Sequence, residues 1–479
     1  MPVRFGTATS RWVIAATVLG SGIAFLDSTV VNVALPAIAA DLDIGVSGLQ
    51  WTLDAYLVTL TSLLLLGGSL GDIAGRRKIF VAGAVAFGGA SVACGLAPNA
   101  ATLIGARAAQ GVAAAFLVPG SLSIVSATFH PDDRGRAIGA WSGLAGVTSA
   151  IGPFIGGWLV DSASWRYIFF INVPLVAVTV WIAMRHVPET KDEHAGKPDW
   201  SGAAAVSIAL GASTYALIEG PAAGGALPVV MGIVGVAAFV CFLVIERNSS
   251  APMLPLGIFR SARFTGANLT TFVVYAALGG AFFLLVLQLQ LSLGYSALAA
   301  GTSLLPFTLI MLAFSSRAGA LAQRIGPRLP MTFGPIVAGA GVWLFTLVEP
   351  GASYVGSVLP AVAVFGAGMT LTVAPLTSAV LGAVDDNHVG AASGVNNAVA
   401  RLGGLIAVAI LPAIAGIDAA SPSSLSSGFG TAMSVCAATC AAGGVIAFVT
   451  VRSGAKVAVV TQASHIQPCS DPCVSADAA

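Results

Sequence analysis

The chain has 479 residues, of which 57% are hydrophobic and 9% charged, where a soluble domain carries about a quarter charged residues. That composition excludes a water-soluble fold, because no packing arrangement hides so much apolar surface. A net charge of +1, with no basic run longer than Arg76, Arg77 and Lys78, excludes an electrostatic footprint for nucleic acid.

A bilayer core about 30 Å thick takes about 20 residues of helix, so fourteen spans need about 280 residues and leave chain for short loops. Apolar runs bounded by Pro, Gly or charge predict spans at about 12–37, 50–70, 79–97, 102–128, 138–160, 167–186, 201–219, 226–246, 265–289, 299–320, 331–348, 355–380, 390–413 and 428–451. The first run, from Trp12 to about Ile38, is too long for a signal-peptide core and lacks a convincing cleavage site, so it stays as span 1. With the N-terminus inside, every Lys and Arg except Arg107, Arg166 and Arg401 falls in a cytoplasmic segment. The positive-inside rule then predicts a multi-pass protein of the cell (inner) membrane with both termini cytoplasmic.

Cys94, Cys241, Cys436 and Cys440 fall in apolar segments and read as small hydrophobes, without a disulfide framework. Cys469 and Cys473 sit in a polar tail; two ligands without a second pair are weak grounds for a metal.

A degenerate repeat runs at one constant offset. Gly68, Leu70 and Gly75 match Gly319, Leu321 and Gly326; Gly139-Ala140, Ser142-Gly143 and Gly152 match Gly390-Ala391, Ser393-Gly394 and Gly403. The predicted fold class is therefore an all-α polytopic membrane protein. It comprises an N-terminal six-helix bundle (1–186), two inserted spans (187–250), a C-terminal six-helix bundle (251–451) and a disordered cytoplasmic tail (452–479). Repeat-built transporters place their site between such halves, near the midplane.

The segment from Gly68 to Lys78 reads G-x-L-x-D-x-x-G-R-R-K. Gly68 and Gly75 allow a tight turn and close helix approach, and Asp72 can cap a helix or pair with Arg76 or Arg77, which suggests a breakable charge latch on the inner face. Span 5 carries Gly146, Gly152, Pro153, Gly156 and Gly157, small residues that let helices pack closely around a proline bend.

Charges inside apolar spans carry the most information, since an Asp or Arg at a helix centre costs about 3 kcal/mol of insertion. Asp27 is predicted about 22 Å above the inner end of span 1, Asp54 about 6 Å below the outer end of span 2 and Arg107 about 9 Å below the outer end of span 4. These depths predict one network in the outer half, in which Arg107 shifts the proton affinity of Asp27 or Asp54 as the conformation changes. Glu219 ends span 7, where a solvated interfacial carboxylate and a substrate contact are both open readings. Arg401 lies about 17 Å into span 13 with no obvious acidic partner in the C-terminal half; counter-charge and snorkelling are both open.

At these residues the chain resembles the major facilitator superfamily, in particular its fourteen-span drug:proton antiporter branch. L-D-S-T-V-V-N-V-A-L-P around Asp27 is similar to that branch's span 1 signature, Gly68 to Lys78 to its inner-loop motif, and R-A-A-Q-G from Arg107 to its span 4 motif. The run from Gly146 to Gly157 resembles the antiporter motif, and W-R-Y-I-F-F-I-N-V-P from Trp165 and D-W-S-G from Asp199 resemble the segments entering spans 6 and 7. The resemblance implies proton coupling through Asp27 and Arg107, substrate contacts at Asp27, Asp54, Tyr56 and Glu219, and an inner gate at Gly68, Asp72, Gly75, Arg76 and Arg77. Span 10 lacks the acidic residue some such families carry, reading L-L-P-F from Leu304 to Phe307, which argues against divalent-cation export.

The implied function is proton-driven efflux of lipophilic, often cationic, small molecules by a monomer in the lipid bilayer, without cofactor or metal. Alternatives on the same fold are export of an endogenous metabolite and uptake by symport. An enzyme is not expected, since no H-E-x-x-H, G-x-S-x-G or G-x-x-x-x-G-K-[ST] motif occurs.

Overall fold

The computed structural model describes residues 3–193, 196–223, 225–249, 252–384, 389–417 and 422–451. Arg452, Lys456, the tail 452–479 and its Cys469 and Cys473 lie outside the described residues. Fourteen helices are long and apolar enough to cross a bilayer: α1 (Ala8–Leu42), α2 (Val46–Ala74), α3 (Arg76–Gly95), α4 (Ala100–Thr128), α5 (Pro131–Ser162), α6 (Tyr167–His186), α7 (Trp200–Pro221), α8 (Ala226–Asn248), α9 (Ala262–Ser292), α10 (Ala297–Ile325), α11 (Arg328–Leu347), α12 (Tyr354–Leu381), α13 (Gly390–Ile414) and α14 (Ser424–Thr450). Because consecutive helices alternate in direction, α1 begins and α14 ends on one face, termed the near face; the opposite one is the far face.

Helix ends run past the predicted spans, for local reasons. Thr7 caps α1, its hydroxyl accepting the Ser10 N–H at 3.2 Å, so the helix starts a turn before Trp12. Asn99 caps α4 by accepting the Thr102 N–H at 2.9 Å. Asp199 of D-W-S-G accepts from the Gly202 N–H at 2.8 Å and the Ser201 hydroxyl at 2.7 Å, which opens α7. Gly75 turns the chain between α2 and α3 at φ +110°, a backbone open to glycine.

The helices pack as two matching sets. In the first, α1 pairs with α5 and α6, α4 with α2 and α3, and α3 with α6; in the second, α9 pairs with α13 and α14, α12 with α10 and α11, and α11 with α14. Each pairing in one set thus has its counterpart in the other, as a duplicated sequence requires. The hairpin of α7 and α8 leans against α2 and α13.

The two sets meet along two seams, α2 with α13 and α5 with α10. On the far side their apolar residues merge into one core, in which Val30, Val31 and Leu53 join Leu284, Phe365 and Leu411. Toward the near face the core divides: one cluster holds Phe80, Leu117 and Phe129, another Phe264, Met331 and Leu376. A Cβ added at Gly139, Gly143 or Gly146 on α5 would meet nothing within 4 Å. The halves are therefore sealed on the far side and parted on the near side.

Within the first set, α2 and α4 touch backbone to backbone at Gly67, where a Cβ would run into the Ala115 carbonyl. Gly67→Val is expected to lower the thermal midpoint of the purified protein, consistent with an overpacking cost of about 1–3 kcal/mol. Gly89→Ala, at a position with open space, is expected to leave it unchanged. A Gly67→Val protein that melts with wild type would show that α2 and α4 do not need this approach.

Candidate functional site

Asp27 and Arg107 are 0% and 1% exposed. Burial at that level requires that each charge be met, since an unpaired ion in an apolar interior is strongly unfavourable. Arg107 Nη1 donates to Asp27 Oδ2 at 2.5 Å and to Gln110 Oε1 at 2.6 Å, while its Nε donates to the Thr52 carbonyl at 3.1 Å. Asp27 Oδ1 accepts from Gln110 Nε2 at 2.9 Å and Asn172 Nδ2 at 3.0 Å. Both amides also donate to the Ser91 hydroxyl, at 2.8 and 3.3 Å. The guanidinium lies 4.4 Å from the Tyr56 ring centroid and 5.9 Å from that of Phe169, so an aromatic wall covers the cation's faces.

The structure corrects the predicted single network, because Asp54 stands apart. It is 0% exposed, and neither carboxylate oxygen has a hydrogen-bond partner. Thr52 and Asp54 are two positions apart on α2, hence about 200° around the helix. The face that gives its carbonyl to Arg107 is not the face that carries Asp54. Depth shifts as well: α2 begins at Val46, which places Asp54 about 12 Å below its far end rather than 6 Å. Asp27 lies about 28 Å from the start of α1 and about 22 Å from its far end, near the middle of the helix.

Glu219 does not stand free in solvent: its Oε1 accepts from Trp51 Nε1 at 2.8 Å, and Trp51 packs on Tyr215 with centroids 6.3 Å apart. This bond ties α7 to α2 one turn from Asp54. Tyr56 is 1% exposed and its hydroxyl reaches the Ala24 carbonyl at 3.4 Å. Arg401 lies across the seam from these residues, with its guanidinium 5.9 Å from the Phe25 ring centroid. Its Nε is buried without a hydrogen-bond partner.

On the near face, Arg76 binds Asp72 twice, through Nε and Nη2 at 2.8 Å each. The strap after α6 covers this turn: Thr190 O accepts the Arg76 N–H at 2.9 Å, Glu189 accepts the Arg77 N–H at 3.0 Å, and the Arg77 side chain reaches the Val187 carbonyl at 3.1 Å. Gly75 faces Glu189, whose carboxylate a Cβ would crowd, whereas Gly68 has only Pro119 nearby, at 3.7 Å. All these contacts lie within the first helix set and the strap that follows it, so in this conformation the charges form a clasp that does not reach the second set.

The small residues of α5 divide by position. Gly152 and Gly156 lie against Thr29 and Val30 of α1, Gly157 against the backbone of Ala297 and Leu298, and the Pro153 carbonyl faces Gly301; Gly146 faces open space and is not part of the seam. Asp161, one turn beyond Gly157, accepts the Ala297 and Leu298 N–H groups at 3.1 and 2.9 Å. Across the other seam, Gln50 donates to the Val408 and Ala409 carbonyls at 2.6 and 3.0 Å; between the seams, Gln290 of α9 donates to the Val33 carbonyl of α1 at 2.9 Å.

Gln110, Asn172, Ser91, Glu189, Asp161 and Gln50 were absent from the sequence-based site. A polar side chain in an apolar run is the signal that could have found Gln110, Asn172 and Gln50; nothing local marks Asp161. Among the described residues no group of three or more His, Cys, Asp or Glu is placed to hold a metal.

Removing one partner of a buried ion pair leaves the other uncompensated. Arg107→Met is expected to lower stability by about 3–5 kcal/mol, and adding Asp27→Asn is expected to recover most of the loss. Melting of the purified single and double variants measures this; a double variant that loses the sum of the two single losses would show that the two charges are not coupled.

The Major Facilitator Superfamily profile matches residues 17–408. The "Multidrug resistance protein Stp" of Mycobacterium tuberculosis is 35% identical over 409 residues, covering 85% of this chain and 76% of that one. The "Methylenomycin A resistance protein" of Bacillus subtilis is 35% identical over 421 residues, covering 86% and 89%. Among solved structures, a POT family transporter in complex with 5-aminolevulinic acid shares the fold, with a TM-score of 0.70 at 13% identity over 93% of this chain and 96% of that one. The chain belongs to the Major Facilitator Superfamily, and is a membrane transporter rather than an enzyme.

Proposed function

We propose that the protein exports lipophilic, often cationic, small molecules across the cell membrane in exchange for protons, by alternating access. The near face, where the cytoplasmic basic residues of the positive-inside pattern gather, is the cytoplasmic one. The observation that carries the reading is the contrast between two carboxylates buried in the same bundle: Asp27 is saturated by Arg107, Gln110 and Asn172, while Asp54 has no partner. An unpartnered carboxylate in the membrane interior needs a counter-charge, which a cationic cargo or a proton supplies.

Cargo enters from the near side, where the halves part, and meets an aromatic wall on the second set. Phe307 packs on Phe282 and Phe365 with centroids 5.3 and 5.2 Å apart. Asp54, with the Trp51–Glu219 pair one turn away, holds the charged end, while Tyr56 lies on the Arg107 face of α2. Opening toward the far side requires the Asp161, Gln50 and Gln290 bonds to part. Protons arriving from outside then neutralise Asp54 and Asp27; the first releases cargo and the second loosens Arg107, whose hold on Thr52 links the proton site to α2. The Asp72–Arg76 and Arg77–Glu189 clasp serves as the inner gate. The protein works as a monomer in the bilayer, draws on the proton gradient instead of a cofactor and binds no nucleic acid. The relatives named for drug and antibiotic resistance support export of drug-like compounds.

Energised inverted vesicles test this. Wild type is expected to accumulate ethidium, and Asp27→Asn to insert normally but accumulate none. Asp54→Asn is expected to slow ethidium more than a neutral dye of similar size. Wild-type accumulation by Asp27→Asn would refute the proton-coupling role.

A further inference from the structure

Arg401 is a half-buried cation with an enclosed Nε, which the mechanism above leaves unused. Gly394, Arg401 and Val408 are seven apart on α13 and share one face of the helix. The two ends of that row touch α2: Gly394 lies against Leu65, and the Val408 carbonyl accepts from Gln50. Arg401 is therefore held at the seam between the halves, where it reaches Phe25 of α1. No ion pair to it exists among the described residues, and its Nε finds no acceptor. Asp27 is committed to Arg107, and the register of α2 against α13 sets Asp54 about 5 Å further toward the far face than Arg401.

We propose that Arg401 is an anion subsite of the transport path, which receives an acidic oxygen group of the cargo: a carboxylate, or the enolate or phenolate of a lipophilic ring system. A guanidinium presents a planar fork of donors that matches such a group, and Phe25 offers the flat apolar face on which the attached ring lies. With Asp54 as the complementary anion one turn away on the opposing half, the path accommodates acids and zwitterions as well as cations. The proposal rests on the reading that cargo passes between the halves.

The test uses the full chain in nanodiscs and two probes differing in one charge, 1-pyrenebutyric acid and its methyl ester, with binding read by fluorescence and empty nanodiscs subtracted. Wild type is expected to favour the acid by about tenfold, the scale of one charge-assisted hydrogen bond. In Arg401→Gln the ratio is expected to fall to about one, and in Arg401→Lys to keep part of the preference. Equal binding of acid and ester by wild type, no binding of the acid, or an unchanged ratio in Arg401→Gln overturns the proposal. Loss of both probes in Arg401→Gln assigns the residue to the scaffold and overturns it too. Ethidium accumulation by wild type in vesicles reports on the export reading alone, so the two failures are distinguishable.

Discussion

The Asp27–Arg107 ion pair is the constraint around which the first helix set is arranged. Two opposite charges in a membrane interior are tolerated when geometry brings them together and neighbours satisfy what remains. Here those neighbours come from nearly every helix of the set: Asp27 from α1, the Thr52 carbonyl from α2, Ser91 from α3, Arg107 and Gln110 from α4, and Asn172 from α6. Among the described residues, α5 contributes nothing to the cluster. That helix instead makes the close approach to α10 through Gly157 and Pro153, so the helix excluded from the polar centre is the one that forms a seam with the other half.

The duplicated architecture carries unequal chemistry. The packing pairs recur in both sets, yet at the offset that aligns Gly68 with Gly319 the positions of Asp27, Asp54 and Arg107 are occupied by Leu278, Leu305 and Val358. In the second half the frame recurs with apolar side chains where the first has charges; Val358 belongs to the core that closes the far side and Leu278 packs against it. The paired and unpaired carboxylates Asp27 and Asp54 thus both stand in the first half, and Arg401 faces them from the second.

The span count, the basic-residue asymmetry, the repeat and the buried charges were legible in the sequence because the bilayer imposes a large cost on each exception to apolarity. Depth put Arg107 within reach of both Asp27 and Asp54 and left its partner open between them. Asp54 was not separable from Asp27, because its exclusion depends on which side of α2 faces α4, a rotation that hydropathy leaves undetermined. Its depth was misjudged since α2 runs a turn beyond its apolar stretch to Val46. The Trp51–Glu219 bond and the Asp161 contact with α10 join residues far apart in sequence, and no local pattern encodes them. Gly146 shares the composition of the α5 run but not its packing, because the halves have already parted at its level.

The structure is one state of a cycle, closed on the far side by backbone-directed bonds from Gln50, Gln290 and Asp161, and open where the core divides. The account's central claim is that cargo and protons compete for carboxylates buried in the first half. The most direct measurement adds ethidium to the purified protein in weakly buffered solution with a pH-sensitive dye. The account predicts proton release that saturates with cargo binding in wild type and is lost when Asp27 and Asp54 are both replaced by Asn. Cargo binding with no proton release from wild type, or release that persists in the double variant, would contradict it.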